Sequence, residues 1–260
     1  PLTSLYIGGG TPSLLQPQQV ERLLRACPSR PGEITLEVNP ATVDREGLSR
    51  LHDLGITRLS LGIQSFHADE LAFLGRIHSV EQSRDLLCAA AGLPWEGLSL
   101  DLIYGLPHHR DRARWQASLT EALSFPVDHL SCYELTLSPR TPLGRRLDEG
   151  DFTLPGEEAA EALVAMTEET LARHGLHRYE ISSYGRPGRE SRHNILYWTG
   201  QPYLGLGSGA HSLEPGRPRR RRANVSHSET YTALILDGRD AAAVEELTPQ
   251  EERLEDLMLG

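Results

Sequence analysis

The chain has 260 residues, 36 of them acidic and 26 basic, for a formal charge of −10. That balance argues against broad nucleic-acid binding through phosphate neutralisation and leaves a small metabolite as the partner class. No stretch approaches the roughly 18 uninterrupted apolar residues of a membrane span and none resembles a signal peptide, so a cytoplasmic protein without a transmembrane segment is expected.

In chain order, short runs rich in Leu, Ile, Val and Tyr read as strands: LTSLYI (2–7), EITLEV (33–38), TRLSLGI (57–63), LSLDLIY (98–104), HLSCYEL (129–135) and HRYEIS (177–182). Helical patterns lie between them at 17–27, 44–55, 79–92, 112–124 and 156–175, and several finish at a glycine suited to a left-handed cap. Strands alternating with helices imply right-handed crossovers and a parallel sheet, so the fold class is α/β. The polar residues Gly8 to Thr11, Glu37 with Asn39, Gln64, Asp101 and Tyr133 with Glu134 all fall at or just beyond strand ends. Five contributing strands favour a barrel-like sheet, whose strand ends converge on one face, over a doubly wound sheet that gathers ligands only at a switch point.

Beyond Tyr184 the composition turns to Gly, Pro and Arg, which places a domain boundary near Gly185, between a core at 1–185 and a further region at 186–260. That region holds a basic loop, Arg217 with Arg219 to Arg222, and ends on a helical pattern capped by Thr248 and Glu251. Cys27, Cys88 and Cys132 lie far apart in apolar patterns and read as buried reduced thiols rather than metal ligands.

Taken alone, GGGTPS is a tight strand-to-helix turn: it has neither the lysine of a P-loop nor the G-x-G-x-x-G spacing. In company it means more. GGGTP, LEVNP, LGIQSF, LGR and DLIYGLP follow one another at strand ends or just after them, and this ordered set resembles the radical S-adenosylmethionine (radical SAM) enzymes of the coproporphyrinogen dehydrogenase and HemW group over nearly the whole chain. The resemblance implies a partial (β/α)6 barrel followed by the start of an α-rich C-terminal domain. It also implies an S-adenosylmethionine site. Gly9, Gly10 and Thr11 would flank the methionine part, Glu37 would accept from an ammonium or ribose hydroxyls, and Arg76 would pair with a carboxylate. Gln64 and Asp101 would bond ribose or backbone-like groups, with Thr136 lining the site. The alternatives for these residues are strand-end hydrogen bonds that fix loops and, for Arg76, an exposed helix charge.

The resemblance further implies a [4Fe-4S] cluster held by C-x3-C-x2-C ahead of the glycine segment, a spacing the sequence lacks. The expectation is a fragment of a longer protein whose missing N-terminal segment carries those cysteines; the alternative is a descendant that lost its cluster. Two activities share this scaffold: oxygen-independent coproporphyrinogen III oxidation by radical decarboxylation, and haem handling by a chaperone. RHNILYW, with His193, Asn194 and Tyr197 in an H-N-x-x-Y arrangement, resembles the HemW branch and implies haem binding, with His193 a possible iron ligand and His211 a poorer one. A solvent-facing histidine and plain aromatic packing are the alternative. The expected activity is therefore a chaperone's rather than an enzyme's, with haem as cargo, haem-acceptor proteins and an electron donor as partners, and the arginine loop as a minority site for propionates. A plain S-adenosylmethionine-binding or docking module is the third class.

Overall fold

The computed structural model describes residues 2–259 and divides after Ser191 into two compact units. In the first, five strands run parallel in sequence order: β1 (Ser4–Ile7), β2 (Glu33–Val38), β3 (Arg58–Gln64), β4 (Gly97–Tyr104) and β5 (His129–Glu134). Helices α1 (Pro17–Ala26), α2 (Arg45–Leu54), α3 (Ala68–Phe73), α4 (Val80–Ala91) and α5 (Arg112–Leu123) connect them, and α6 (Pro142–Asp148) and α7 (Glu157–Arg173) follow β5. Local chemistry sets their limits. Asp44 accepts from the Gly47 amide at the start of α2, and Gly55 closes it at φ 94°, a conformation that suits glycine. Ser79 and Gln82 form a reciprocal capping box on α4.

The segment HRYEIS does not extend the parallel series as a sixth strand. It forms β6 (His177–Arg178), which pairs antiparallel with β7 (Ser183–Gly185), itself antiparallel to β5. The cause lies in the middle of the segment: the Glu180 carboxylate accepts from the Ser182 amide at 2.9 Å and turns the chain back. The first unit also continues past Gly185 to Ser191, because Arg189 accepts from the Arg58 guanidinium at 3.0 Å and the Ser191 amide donates to the Tyr179 hydroxyl at 3.3 Å.

Strand alternation gives the sheet two unlike faces. Leu59, Leu61 and Ile63 of β3 and Leu98, Leu100 and Leu102 of β4 are buried in one core with Leu86, Leu87 and Ala90 of α4 and Trp115, Leu119 and Ala122 of α5. The opposite face carries Tyr6, Thr35, Glu37, Ser60, Asp101 and Ser131, brought side by side by registers that pair Glu37 with Ser60 and Asp101 with Ser131. Strands buried on both faces ordinarily read as continuous apolar runs, so this polar face marks an unusual demand.

The three thiols are free, and only Cys132 is fully buried. Cys88 is exposed because the inward stripe of α4 runs through Leu86, Leu87 and Ala90 and leaves it on the other side; Cys27 caps α1 and is half-buried.

The second unit holds α8 (Arg192–Trp198), β8 (His211–Leu213), β9 (Arg220–Asn224), α9 (Ser228–Leu236), β10 (Ala242–Glu246) and α10 (Pro249–Leu259), with β9 central in a three-stranded antiparallel sheet. The expected basic loop is thus largely a strand. Its charges are matched internally: Arg220 pairs with Glu246 at 3.2 Å, Arg221 with Glu255, and Arg222 with Asp240 at 2.6 Å and Glu214 at 3.4 Å. Arg219 lies 3.7 Å from Glu255 and Arg217 3.6 Å from Glu252, so each of these arginines faces a carboxylate of its own unit. The cap at Thr248 is as expected, its backbone amide bonded to Glu251 at 2.7 Å.

Truncation separates the two faces. At pH 4, where Asp101 is protonated, Leu100→Ala is expected to cost about 3 kcal/mol in urea unfolding, whereas Ser60→Ala costs about 1 kcal/mol or less. Equal losses would contradict a core confined to the helix side of the sheet.

Candidate functional site

The carboxyl ends of β1 to β4 assemble a group of polar side chains on the face turned away from the helices. At the end of β1, Gly9 and Gly10 adopt φ values of 75° and 66°, and a Cβ placed on either would meet nothing within 4 Å. Their backbone is therefore open to close approach. Gly8 is the opposite case: a Cβ there would lie 2.6 Å from Tyr6 Cε1 and 2.9 Å from Glu37 Oε1, so only glycine fits. Glu37, on β2, accepts from the Tyr6 hydroxyl at 2.8 Å through one oxygen and from the Gly9 amide at 3.1 Å through the other. Thr11 leads into a single 3-10 turn at Pro12–Leu14. Asn39 is a loop-fixing residue: its side chain accepts from the Ala41 amide at 3.1 Å and its own amide donates to Ser13.

Gln64 ends β3 in the left-handed region at φ 69°, the one non-glycine residue with positive φ among the described residues. A register shift between Leu61 and Gln64 produces this turn, and the side chain is buried. Its amide nitrogen lies over Gly62, 2.9 Å from where a Cβ there would stand. A left-handed glutamine costs on the order of 1–2 kcal/mol, a strain of the kind that clusters at binding sites.

Asp101, on β4, accepts from Ser60 at 3.1 and 3.3 Å. Burial, reinforced by the charge of Glu37, pushes its carboxyl up to about 6, against the opposing hydrogen bonds of Ser131 and Ser60 and the charge of Arg58. Tyr133 follows on β5, and its hydroxyl is pushed upward by burial and by Asp101. Arg76 stands just beyond α3. Its backbone amide donates to Leu71 at 2.9 Å, and its guanidinium has no hydrogen bond or ion pair among the described residues. Partial desolvation lowers its pKa, and Asp101 is the charge that opposes this.

The turn carrying Arg76 is held from below. Glu70 of α3 is buried and accepts from Ser65 at 2.5 Å and from Arg114 at 2.9 Å, with His109 Nε2 at 3.3 Å. Burial alone would raise its carboxyl, but these donors outweigh it and hold the group at about 2. Thr136 is less engaged: it is exposed and its hydroxyl turns back to the Glu134 carbonyl at 3.4 Å.

Near the amino ends of the strands the same face is closed by a buried network. His129 bonds Ser99 at 2.5 Å through Nδ1 and Tyr179 at 2.7 Å through Nε2, and Arg58 reaches Ser99 at 3.5 Å. Burial, with the charge of Arg58, holds His129 well below its ordinary pKa, so a neutral imidazole and the Arg58 guanidinium plug this end. Tyr6, Ser60 and Ser131 were not singled out from the sequence. The signal was a polar residue at every second position of strands expected to be apolar on both faces.

In the second unit His193 and Tyr197 lie one turn apart on α8, so H-N-x-x-Y places both rings on one helix face. His193 Nε2 is 2.6 Å from the Tyr197 hydroxyl, and Tyr197 packs edge-on against Tyr203 with ring centroids 4.4 Å apart. Asn194 is half-buried beside them, and His211 sits exposed on β8. Among the described residues no three His, Cys, Asp or Glu side chains gather to hold a metal ion, and the three thiols lie on separate elements, so the ligands of an iron–sulfur cluster are not supplied here. No helix among the described residues is long and apolar enough to cross a membrane.

The profile of the Radical SAM superfamily matches residues 1–118. The chain is 40% identical to the heme chaperone HemW of Synechocystis sp., with all of the chain and 64% of that protein covered. It is 33% identical to the heme chaperone HemW of Bacillus subtilis, with all of the chain and 69% of that protein covered. The chain thus spans about two thirds of the length of these curated relatives. Its fold is similar to that of Escherichia coli coproporphyrinogen III oxidase (HemN), with a TM-score of 0.81 at 22% identity over 99% of this chain and 63% of that one.

The carboxyl of Asp101 supplies a pH test. Its folded pKa lies above the ordinary 3.8, so its ionisation destabilises the fold increasingly as pH rises from about 4 through about 6. Asp101→Asn should therefore stabilise by about 3 kcal/mol at pH 7.5 and by about zero at pH 4, read from urea unfolding at both values. A gain independent of pH would refute the assignment.

Proposed function

The chain belongs to the radical SAM superfamily and, within it, to the HemW family, and from that membership we propose that its first unit binds S-adenosylmethionine and that its second takes part in binding haem as cargo. The observation that carries the first part is the polar sheet face, where the open backbone of Gly9 and Gly10, the carboxylates of Glu37 and Asp101 and the strained Gln64 meet at successive strand ends.

The residues fit such a ligand in chemical terms. Glu37, whose two present donors are a hydroxyl and a backbone amide, accepts from an ammonium or ribose hydroxyls. Arg76, with no ion pair among the described residues, meets a carboxylate; Gln64 and Asp101 bond ribose or backbone-like groups. Thr11 and Thr136 border the same strand ends. In this superfamily the ligand supplies radical chemistry when it is reduced at a [4Fe-4S] cluster. This chain's own part is to bind and orient the ligand.

For haem, the HemW relatives favour delivery over oxidation of a porphyrinogen, since the resemblance to coproporphyrinogen III oxidase is one of fold alone. His193, Asn194 and Tyr197 share one short helix, and an imidazole there is a natural axial ligand. Haem-acceptor proteins and an electron donor are the partners this reading requires.

Haem titration followed at the Soret band should give a saturable shift that His193→Ala weakens at least tenfold. For the full-length protein, dithionite reduction with S-adenosylmethionine should release 5′-deoxyadenosine. Decarboxylation of coproporphyrinogen III, with no Soret shift dependent on His193, would overturn the chaperone reading.

A further inference from the structure

We propose that Tyr6 is a positioning residue for the ligand site, acting through Glu37; this rests on the reading of that site as an S-adenosylmethionine site. Tyr6 lies two positions before Gly8, on β1, and pairs with Thr35 of β2, so its ring stands on the same sheet face as Glu37. The two Glu37 oxygens are divided between two donors: the Tyr6 hydroxyl holds Oε1 at 2.8 Å, and the Gly9 amide holds Oε2 at 3.1 Å. One side chain thereby fixes both the carboxylate's rotation and the glycine segment that meets it.

The packing is tight on the side of Gly8, where any Cβ would collide with Tyr6 Cε1 and with the same Glu37 oxygen. It is open on the side of Gly9 and Gly10, where a Cβ would meet nothing. The three glycines therefore do different work. Gly8 lets the tyrosine and carboxylate lock together, and Gly9 and Gly10 leave backbone bare for a ligand. Burial, with the charges of Glu37 and Asp101, pushes the Tyr6 hydroxyl far above its ordinary pKa, so it stays a donor throughout the working pH range. Without the hydroxyl the Glu37 carboxylate is free to rotate away from the Gly9 amide.

The test is a double-mutant cycle on the 260-residue chain, with S-adenosylmethionine titrated against the Gly9 and Gly10 amide signals in NMR spectra. Tyr6→Phe should weaken binding by about fivefold to tenfold, and Glu37→Gln by more. The double variant should match Glu37→Gln, because a residue that acts only through Glu37 has nothing left to position. Additive losses would overturn the proposal in favour of a general packing role. A second measurement needs no ligand: in Tyr6→Phe the Gly9 amide should exchange with solvent at least tenfold faster while the Leu100 amide is unchanged. If the parent chain binds no S-adenosylmethionine, the ligand assignment fails and the exchange result alone decides the role of Tyr6. An unaltered Gly9 rate overturns it.

Discussion

The first unit depends on one constraint: a parallel sheet whose strands are apolar toward the helices and polar on the other side. A sheet wrapped by helices normally gains by burying aliphatic side chains on both faces. Here Leu59, Leu61, Leu98, Leu100 and Leu102 carry the packing, while Ser60, Asp101, Ser131, Thr35 and Glu37 occupy the positions between them. The polar positions must then find partners within the sheet. They do so across neighbouring strands, as Ser60 does with Asp101 and Tyr6 with Glu37. The two ends of this face differ accordingly. Toward the amino ends, His129, Ser99, Tyr179 and Arg58 satisfy one another, whereas the carboxyl ends leave Asp101, Arg76 and the glycine backbone available.

Backbone geometry reinforces that asymmetry. The left-handed turn at Gln64 and the open glycines after β1 sit on the same side of the sheet, and each is a conformation that a merely structural connection could avoid. Gln64 takes that conformation at the register shift that ends β3. Strain and openness thus coincide with the buried, unneutralised carboxylate, which is the pattern expected where a ligand completes the structure.

The five parallel strands and their principal helices were legible because each is a bounded apolar run or a capped periodic segment. Helices α3 and α6 were not, at six and seven residues, since so short a segment shows no period. Glu37 and Gln64, next to or at the ends of β2 and β3, could be read from position, whereas Asp101 proves to lie inside β4 beside Ser60 and Ser131. Tyr6, Ser60 and Ser131 lay within strands, where their role depends on which face the register gives them. The arginine stretch was misread as a loop because its carboxylate partners, Glu214, Asp240, Glu246 and Glu255, are spread over the rest of the unit, and only pairing in the sheet brings them together. Cysteine burial was overestimated for the same reason: helix phase, rather than local composition, decides where Cys88 points.

Two buried carboxylates in this unit titrate in opposite directions, and the contrast separates scaffold from site. Glu70 is fully enclosed, yet Arg114, His109 and Ser65 surround it with donors and hold it at about 2, so it stays charged and anchors the turn that presents Arg76. Asp101 receives only serine hydroxyls at close range, with Arg58 acting from farther off and Glu37 adding repulsion, and it rises to about 6. A group selected for stability alone would resemble Glu70, since an unpaired buried charge is expensive to keep. The chain instead places its poorly compensated carboxylate within β4, on the same sheet face as Tyr6 and Glu37 and within the electrostatic reach of Arg76. A ligand carrying its own positive charge and hydroxyl groups would supply the compensation that the fold withholds.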